Sequence, residues 1–120
     1  MTVPPGWPAD VRPPGSPDWE RSAVAWLLDL CPPDYRGYPV LVRRPVALAW
    51  VAVRHVEAAL EGARRALAGV RTALSDAVEP QALAALVEAL ETEVARLLGT
   101  SRAVGLVEEA LRGRRHVPRL

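Results

Sequence analysis

The sequence predicts an all-α protein built around a long antiparallel helical hairpin of the coiled-coil type. An apolar pattern starts at Val46 and repeats in alternating steps of three and four residues as far as Ala77, which is the spacing of one side of an α-helix. Prolines stand where each long helix would begin, at Pro45 and Pro80, and proline fits the first turn of a helix. A matching apolar pattern follows the second proline: Leu83, Val87, Leu90, Val94 and Leu97.

The composition indicates one small domain with no strong overall electric field. The chain has 120 residues, a net charge of +1, and no Lys, so Arg supplies all fifteen positive charges. Asn, Ile and Phe are missing as well, which indicates GC-rich coding rather than selection of Arg for phosphate binding. A charge this close to zero does not draw the whole molecule to nucleic acid or to a membrane surface.

The predicted domain, residues 1–120, divides into six segments. They are a Pro-rich arm (1–16), a helix (17–30), a connector (31–44), the two hairpin helices (45–76 and 80–112) and a basic tail (113–120). Six prolines in residues 1–17 favour extended backbone for the arm. Val3, Trp7 and Val11 recur among them, so the arm either is free in solvent or lies against the helices.

The short helix at 17–30 is predicted to cover one end of the hairpin. Ser16 is placed to cap it and Pro17 to begin it, while Trp19 and Trp26 lie on its apolar side. Pro32 and Pro33 then end it. Because the twelve residues from Trp19 to Leu30 span only about 18 Å of helix, the turn end of the hairpin stays thinly covered, and self-association there would cover it.

The connector is the first candidate for a partner-binding surface. Its sequence, CPPDYRGYPVLVRR, is too rich in turn formers for a long helix; residues 34–37 suit a turn and residues 38–42 a short extended segment. It holds the densest mixture of aromatic and charged side chains in the chain, and such loops often carry function. The predicted binding residues are Asp34, Tyr35, Arg36, Tyr38, Arg43 and Arg44.

Polar residues and glycines interrupt the apolar pattern of the last helix near 99–101, which predicts a bend or a short break there. Gly113 is predicted to end this helix. Apolar residues that the contact between the two long helices leaves spare predict a symmetric homodimer: Leu83, Leu86, Leu98, Leu106 and Val107. The tail beyond Arg112 is basic and is predicted to bind a partner through Arg114, Arg115, His116, Val117, Arg119 and Leu120.

No residues are predicted to serve catalysis, a cofactor or a metal ion. Cys31, His55 and His116 are scattered without a metal-binding spacing. A Cys31–His55 nucleophile pair is not excluded by sequence, although a thiol that follows a helix and precedes Pro-Pro is typical of a structural residue.

The sequence predicts a cytoplasmic protein that does not enter a membrane. A single cysteine rules out an internal disulfide and fits a reducing compartment. The N-terminal residues contain no apolar core of signal-peptide length, and the longest uncharged apolar run, 45–53, is too short to span a bilayer.

Four stretches carry a resemblance: PPGW, DWE, AWLLDLCPPDYRGYP and LRGRRHVPRL. Together they resemble a family of short helical proteins found in high-GC actinobacteria. The resemblance spans nearly the whole chain and implies no particular activity.

Three functional hypotheses follow. The first is a non-enzymatic protein-interaction module, a helical adaptor or accessory subunit that docks a partner through its arms and connector. The second is a nucleic-acid-associated protein that uses the arginines of the connector and tail on phosphates. The third is a small helical enzyme with an Arg-lined pocket for an anion, which would require two or more Arg and a carboxylate converging in an apolar-walled pocket.

Overall fold

A computed structural model describes residues 3–113. Four α-helices follow one another: α1 (Trp19–Leu30), α2 (Pro39–Arg43), α3 (Pro45–Leu74) and α4 (Pro80–Leu111). A 3₁₀ turn at Pro33–Gly37 lies between α1 and α2, and no residue in the range 3–113 is in a β-strand. The predicted all-α class is confirmed, with α3 and α4 packed as a long hairpin and α1 against α3.

The hairpin forms because each long helix has an apolar side and a proline at its start. Pro45 and Pro80 begin α3 and α4 as predicted, and the turn between them is closed by the Val78 amide, which donates to the Leu74 carbonyl at 2.9 Å. Thirty residues of α3 give a rod about 45 Å long, and the molecule measures 53 × 42 × 18 Å. The predicted contact side is buried along its length, at Ala49, Val56, Leu60 and Val70 of α3 and at Val87, Leu97 and Val104 of α4.

The main core lies at one end of the hairpin, where α1 crosses it. Ala23, Leu27 and Leu28 of α1 share one buried cluster with the first half of α3 and the last part of α4. The α3 and α4 members are Leu48, Ala49, Ala52, Val56, Val104 and Val107. The short helix therefore covers one end of the hairpin, as the sequence predicts.

The start of α1 differs from the prediction. The helix begins at Trp19, and Asp18 precedes it with a left-handed φ of 61°, a conformation that Asp tolerates better than most residues. Ser16 does not cap the helix, because Asp18 stands at the N-cap position. The Ser16 hydroxyl donates to the Pro13 carbonyl instead.

The Pro-rich arm lies against the helices. Val11 is only 3% exposed and belongs to the core cluster, and the Trp7 indole donates to the Val11 carbonyl at 2.8 Å. Gly6, with a φ of 91°, passes close to Arg102 and Leu106 of α4. Of the two alternatives for the arm, the packed one is observed.

The connector contains a short helix where an extended segment was predicted for residues 38–42. Pro39 starts α2, and Leu41 is half-buried against the core. The next residue after the helix, Arg44, leaves the helical region with a φ of −120° and a ψ of 87°, because the following proline disfavours helical backbone at this position. The burial of Leu41 explains why residues 39–43 form a helix and not an extended segment, because one helical turn places this side chain on the core.

A bend or a short break was predicted near 99–101, and the break does not occur, since α4 is one continuous helix from Pro80 to Leu111. The Thr100 hydroxyl donates to the Arg96 carbonyl within the helix at 3.1 Å, so this polar residue is accommodated without a break. Gly113, with a φ of 80°, follows the helix, and its amide donates to the Ala110 carbonyl, which confirms the predicted end.

The predicted dimer surface is partly used inside the monomer. Val107 is fully buried beneath α1, and Leu106 is half-buried beside Gly6 of the arm. The sequence pattern shows which residues share a side of α4. It does not show that the arm, which is remote in sequence, packs on that side. Among the predicted dimer residues, Leu98 remains exposed, and Leu83 and Leu86 are half-buried.

Candidate functional site

The 3₁₀ turn anchors the connector to the hairpin through Tyr35. Its ring is half-buried against the core and lies 6.4 Å from the ring of His55 on α3, in edge-on geometry. The amide of Tyr35 donates to the Pro32 carbonyl, and its carbonyl accepts from the Tyr38 amide. Tyr35 therefore holds the connector on the hairpin, and its predicted contact with a partner stays a prediction.

The α2 surface is exposed and mainly apolar, with arginines beside it. We define it as Tyr38, Val40, Val42, Arg43 and Arg44. Val40 is 60% exposed, Tyr38 52% and Val42 40%, and both arginines are exposed. No carboxylate among residues 3–113 is within ion-pairing distance of either arginine, so the surface combines apolar area with free positive charge.

The α2 surface is held on both sides by buried contacts. Leu41, in the middle of α2, packs on the core, and the Tyr38 ring lies 6.2 Å from the anchored ring of Tyr35. Because the backbone is fixed at Leu41 and before Pro45, the exposed side chains project from a rigid support. A rigid apolar surface loses less conformational entropy on binding than a mobile loop.

The remaining predicted connector residues are charged and lie nearer to α1. The Arg36 guanidinium donates to the Asp29 carboxylate at 2.6 Å. The side chain of Arg36 is 49% exposed and that of Asp29 is 73% exposed. Asp34 is exposed. The Arg36–Asp29 pair cancels its own charge, so the positive charge of this region comes from Arg43 and Arg44.

Cys31 is buried at the end of α1 and is 7% exposed. Burial raises the pKa of its thiol, and the nearby positive charge of Arg36 opposes that rise only in part. A raised pKa keeps the sulfur protonated and weakly nucleophilic near neutral pH. The ring of His55 faces Tyr35, and no hydrogen bond joins His55 to Cys31 among the described residues, which leaves the Cys31–His55 nucleophile pair without support.

Trp50 is an exposed residue that the sequence reasoning missed. Residues 46–53 are apolar on every side of α3, a pattern that favours burial all round the helix, yet only Leu48, Ala49 and Ala52 of this run are fully buried. Trp50 stays 47% exposed, with the Arg54 guanidinium 4.6 Å above its ring. Trp50 and Arg54 are four residues apart and are therefore neighbours on a helix, so the sequence could have predicted this contact of a guanidinium with an indole ring.

The described part of the chain holds no cluster of three or more potential metal ligands. None of its helices is both long and apolar enough to cross a bilayer. The predicted tail residues Arg114, Arg115, His116, Val117, Arg119 and Leu120 lie outside the described residues.

Comparison with family models, with curated proteins and with solved structures found no match to this chain.

Proposed function

We propose that the protein is a non-enzymatic interaction module that docks a protein partner through the α2 surface. The observation that carries the proposal is the exposure of Tyr38, Val40 and Val42 on a rigid support. Large apolar side chains grouped on the surface of a small protein often mark a binding site. The hairpin then serves as the scaffold that presents this surface.

The chemistry of the α2 surface indicates the partner. Val40 and Arg43 are three residues apart and share one side of α2, and α2 has no acidic residue in its first turn. A segment with apolar side chains and a flanking carboxylate would bury the valines and pair with the arginines. We also propose a reducing, cytoplasmic location, which the free thiol of Cys31 supports.

The test is quantitative capture from native cells with tagged full-length protein and two matched pairs of variants. Val40→Ser with Val42→Ser removes the apolar contribution, and Ala58→Ser with Ala68→Ser is the control on exposed positions of α3. Arg43→Gln with Arg44→Gln removes the charge, and Arg64→Gln with Arg71→Gln is its control. All four positions in the controls lie on α3, about 20 Å or more along the helix from Pro45, where α2 leads into it.

We expect one set of proteins to be lost, by about tenfold or more, with both α2 variants and retained with both controls. Equal retention by all variants would refute the proposal. Loss that follows the arginines alone, disappears with nuclease and falls steeply with salt would favour the nucleic-acid hypothesis instead, because phosphate binding does not depend on the valines.

A further inference from the structure

The large apolar side chains that stay exposed are concentrated in one stretch of the chain. Among the described residues, four of them fall between residues 38 and 50: Tyr38, Val40, Val42 and Trp50. The other one, Leu98, lies on α4. Because Trp50 belongs to α3, the exposed apolar side chains of the α2 surface continue along the chain into the first turns of α3.

The same stretch carries positive charge without any acidic residue. Residues 35–56 contain four arginines and no Asp or Glu. Among the described residues, only Arg36 of these four has an ion-pair partner. Arg43 and Arg44 belong to the α2 surface, and Arg54 follows on α3. A partner that lies on this stretch therefore meets three unpaired cations, and carboxylates are the protein side chains that match them.

The ring of Trp50 positions the guanidinium of Arg54. This guanidinium lies over the indole ring, with its central carbon 4.6 Å from the ring centre. Glu57 is only three residues further along α3, yet no ion pair joins it to Arg54. The face of the ring attracts the cation, and the N–H groups of the guanidinium fork are left for a carboxylate.

The rise of α3 sets the spacing of the charges. Arg44 is the N-cap residue of α3, and Trp50 and Arg54 follow it by about 9 Å and about 15 Å along the helix axis. A segment with two carboxylates about 15 Å apart would pair with both arginines and place its apolar side chains near Trp50. This distance corresponds to about five residues of extended chain or about ten residues of helix.

We propose that Trp50 and Arg54 form a carboxylate-binding site for an acidic, partly apolar segment of the partner protein. The carboxylate accepts hydrogen bonds from the Arg54 guanidinium, and an apolar side chain beside it packs on the exposed part of the Trp50 ring. Trp and Arg are among the residues that dominate binding at protein interfaces, and an arginine already held on a ring loses less conformational freedom on binding. The inference rests on the proposed function, because it gives the partner of the α2 surface a further contact on α3.

The probe is a displayed library of random peptides of about twelve residues, long enough to span about 15 Å. Peptides selected on the full chain are then measured as synthetic, amidated peptides. Trp50→Ala and Arg54→Gln each remove one part of the site. Leu98→Ala is the matched control for the first, since Leu98 is also an exposed apolar residue, and Arg71→Gln is the control for the second, since Arg71 is also exposed on α3. Melting temperatures of the four variants show that the fold is kept.

We expect the selected peptides to be rich in acidic and apolar residues. Their affinity should fall by about tenfold or more with Trp50→Ala and with Arg54→Gln and stay unchanged with both controls. Replacing the acidic residue of a peptide by its amide should weaken binding to wild type and make little further difference with Arg54→Gln, because the paired charge is already gone. Full affinity in both α3 variants, or additive losses in this double-mutant cycle, would overturn the inference.

Val40→Ser with Val42→Ser, measured with the same peptides, separates the site on α3 from the proposed docking through α2. Loss with this variant alone would support docking through α2 and overturn the site on α3. Loss with the α3 variants alone would support the site and contradict docking through α2. A library that yields no peptide bound by wild type would overturn the inference, as would binding only to vesicles of anionic phosphatidylglycerol, since the arginines would then face lipid phosphates.

Discussion

At the scale of single residues, the fold depends on a few side chains with no exposure. Leu27, Leu48, Val104 and Val107 are the largest of these, and they come from three helices that meet at one end. The described residues contain no buried side-chain polar atom without a hydrogen-bond partner. Cys31 belongs to the same buried cluster, and its thiol is the titratable side chain among the buried members.

We predict that Cys31 makes stability fall in alkaline solution. Burial raises the folded-state pKa above the ordinary value of 9.0, so the folded state holds the thiol proton more tightly than the unfolded chain. The contribution is fully present below the unfolded pKa and is lost as the pH rises through the folded pKa. Urea unfolding from about pH 7 to about pH 10 should show a steeper loss for wild type than for Cys31→Ala.

The Cys31→Ala variant also removes packing atoms, and this loss lowers the free energy of unfolding by a similar amount at every pH. The slope of the free energy of unfolding against pH is therefore the quantity to compare. Parallel curves for the two proteins would show that the thiol is not held protonated by burial.

At the scale of elements, local sequence signals predicted the hairpin well. Pro45 and Pro80 start the long helices as predicted, and α3 and α4 end within two residues of the predicted bounds. At α2 the error arose because a distant contact decides the local structure: Leu41 packs on the core and so α2 forms. At the start of α1 the error was local, since propensity did not indicate that Asp18 takes the N-cap position with a left-handed φ.

Two glycines should respond in opposite ways to substitution by alanine. Gly6→Ala should destabilise the protein by about 1–2 kcal/mol, because its φ of 91° is unfavourable for a residue with a Cβ and Arg102 lies 3.0 Å from that atom's position. Gly99→Ala should stabilise it by about 0.5–1 kcal/mol, since alanine favours the interior of a helix and meets open space. Urea unfolding measures both values.

A neutral effect of Gly6→Ala would mean that the arm does not hold its place on α4. A destabilising Gly99→Ala would mean that α4 is not a regular helix at this point, as the sequence pattern had suggested.

At the scale of the whole molecule, the segments that pack on the hairpin are concentrated at one of its ends. The arm, α1 and the connector all meet the hairpin at the end with Leu48 and Val107, whereas within residues 3–113 the turn end carries only the contact of α3 with α4. This asymmetry was predictable, because a helix of twelve residues cannot cover one of thirty. The α2 surface was predictable only as a region, since the exposure of Val40 and Val42 depends on a helix that the sequence did not indicate.

The account depends most on this difference between the two ends, and amide hydrogen exchange at low protein concentration tests it most directly. Exchange protection follows the free energy of local opening. We expect the slowest amides at 48–56 and 103–107, beneath α1 and the arm, and clearly faster exchange at 66–74 and 82–90. Equal protection of the two ends in dilute solution would contradict the account.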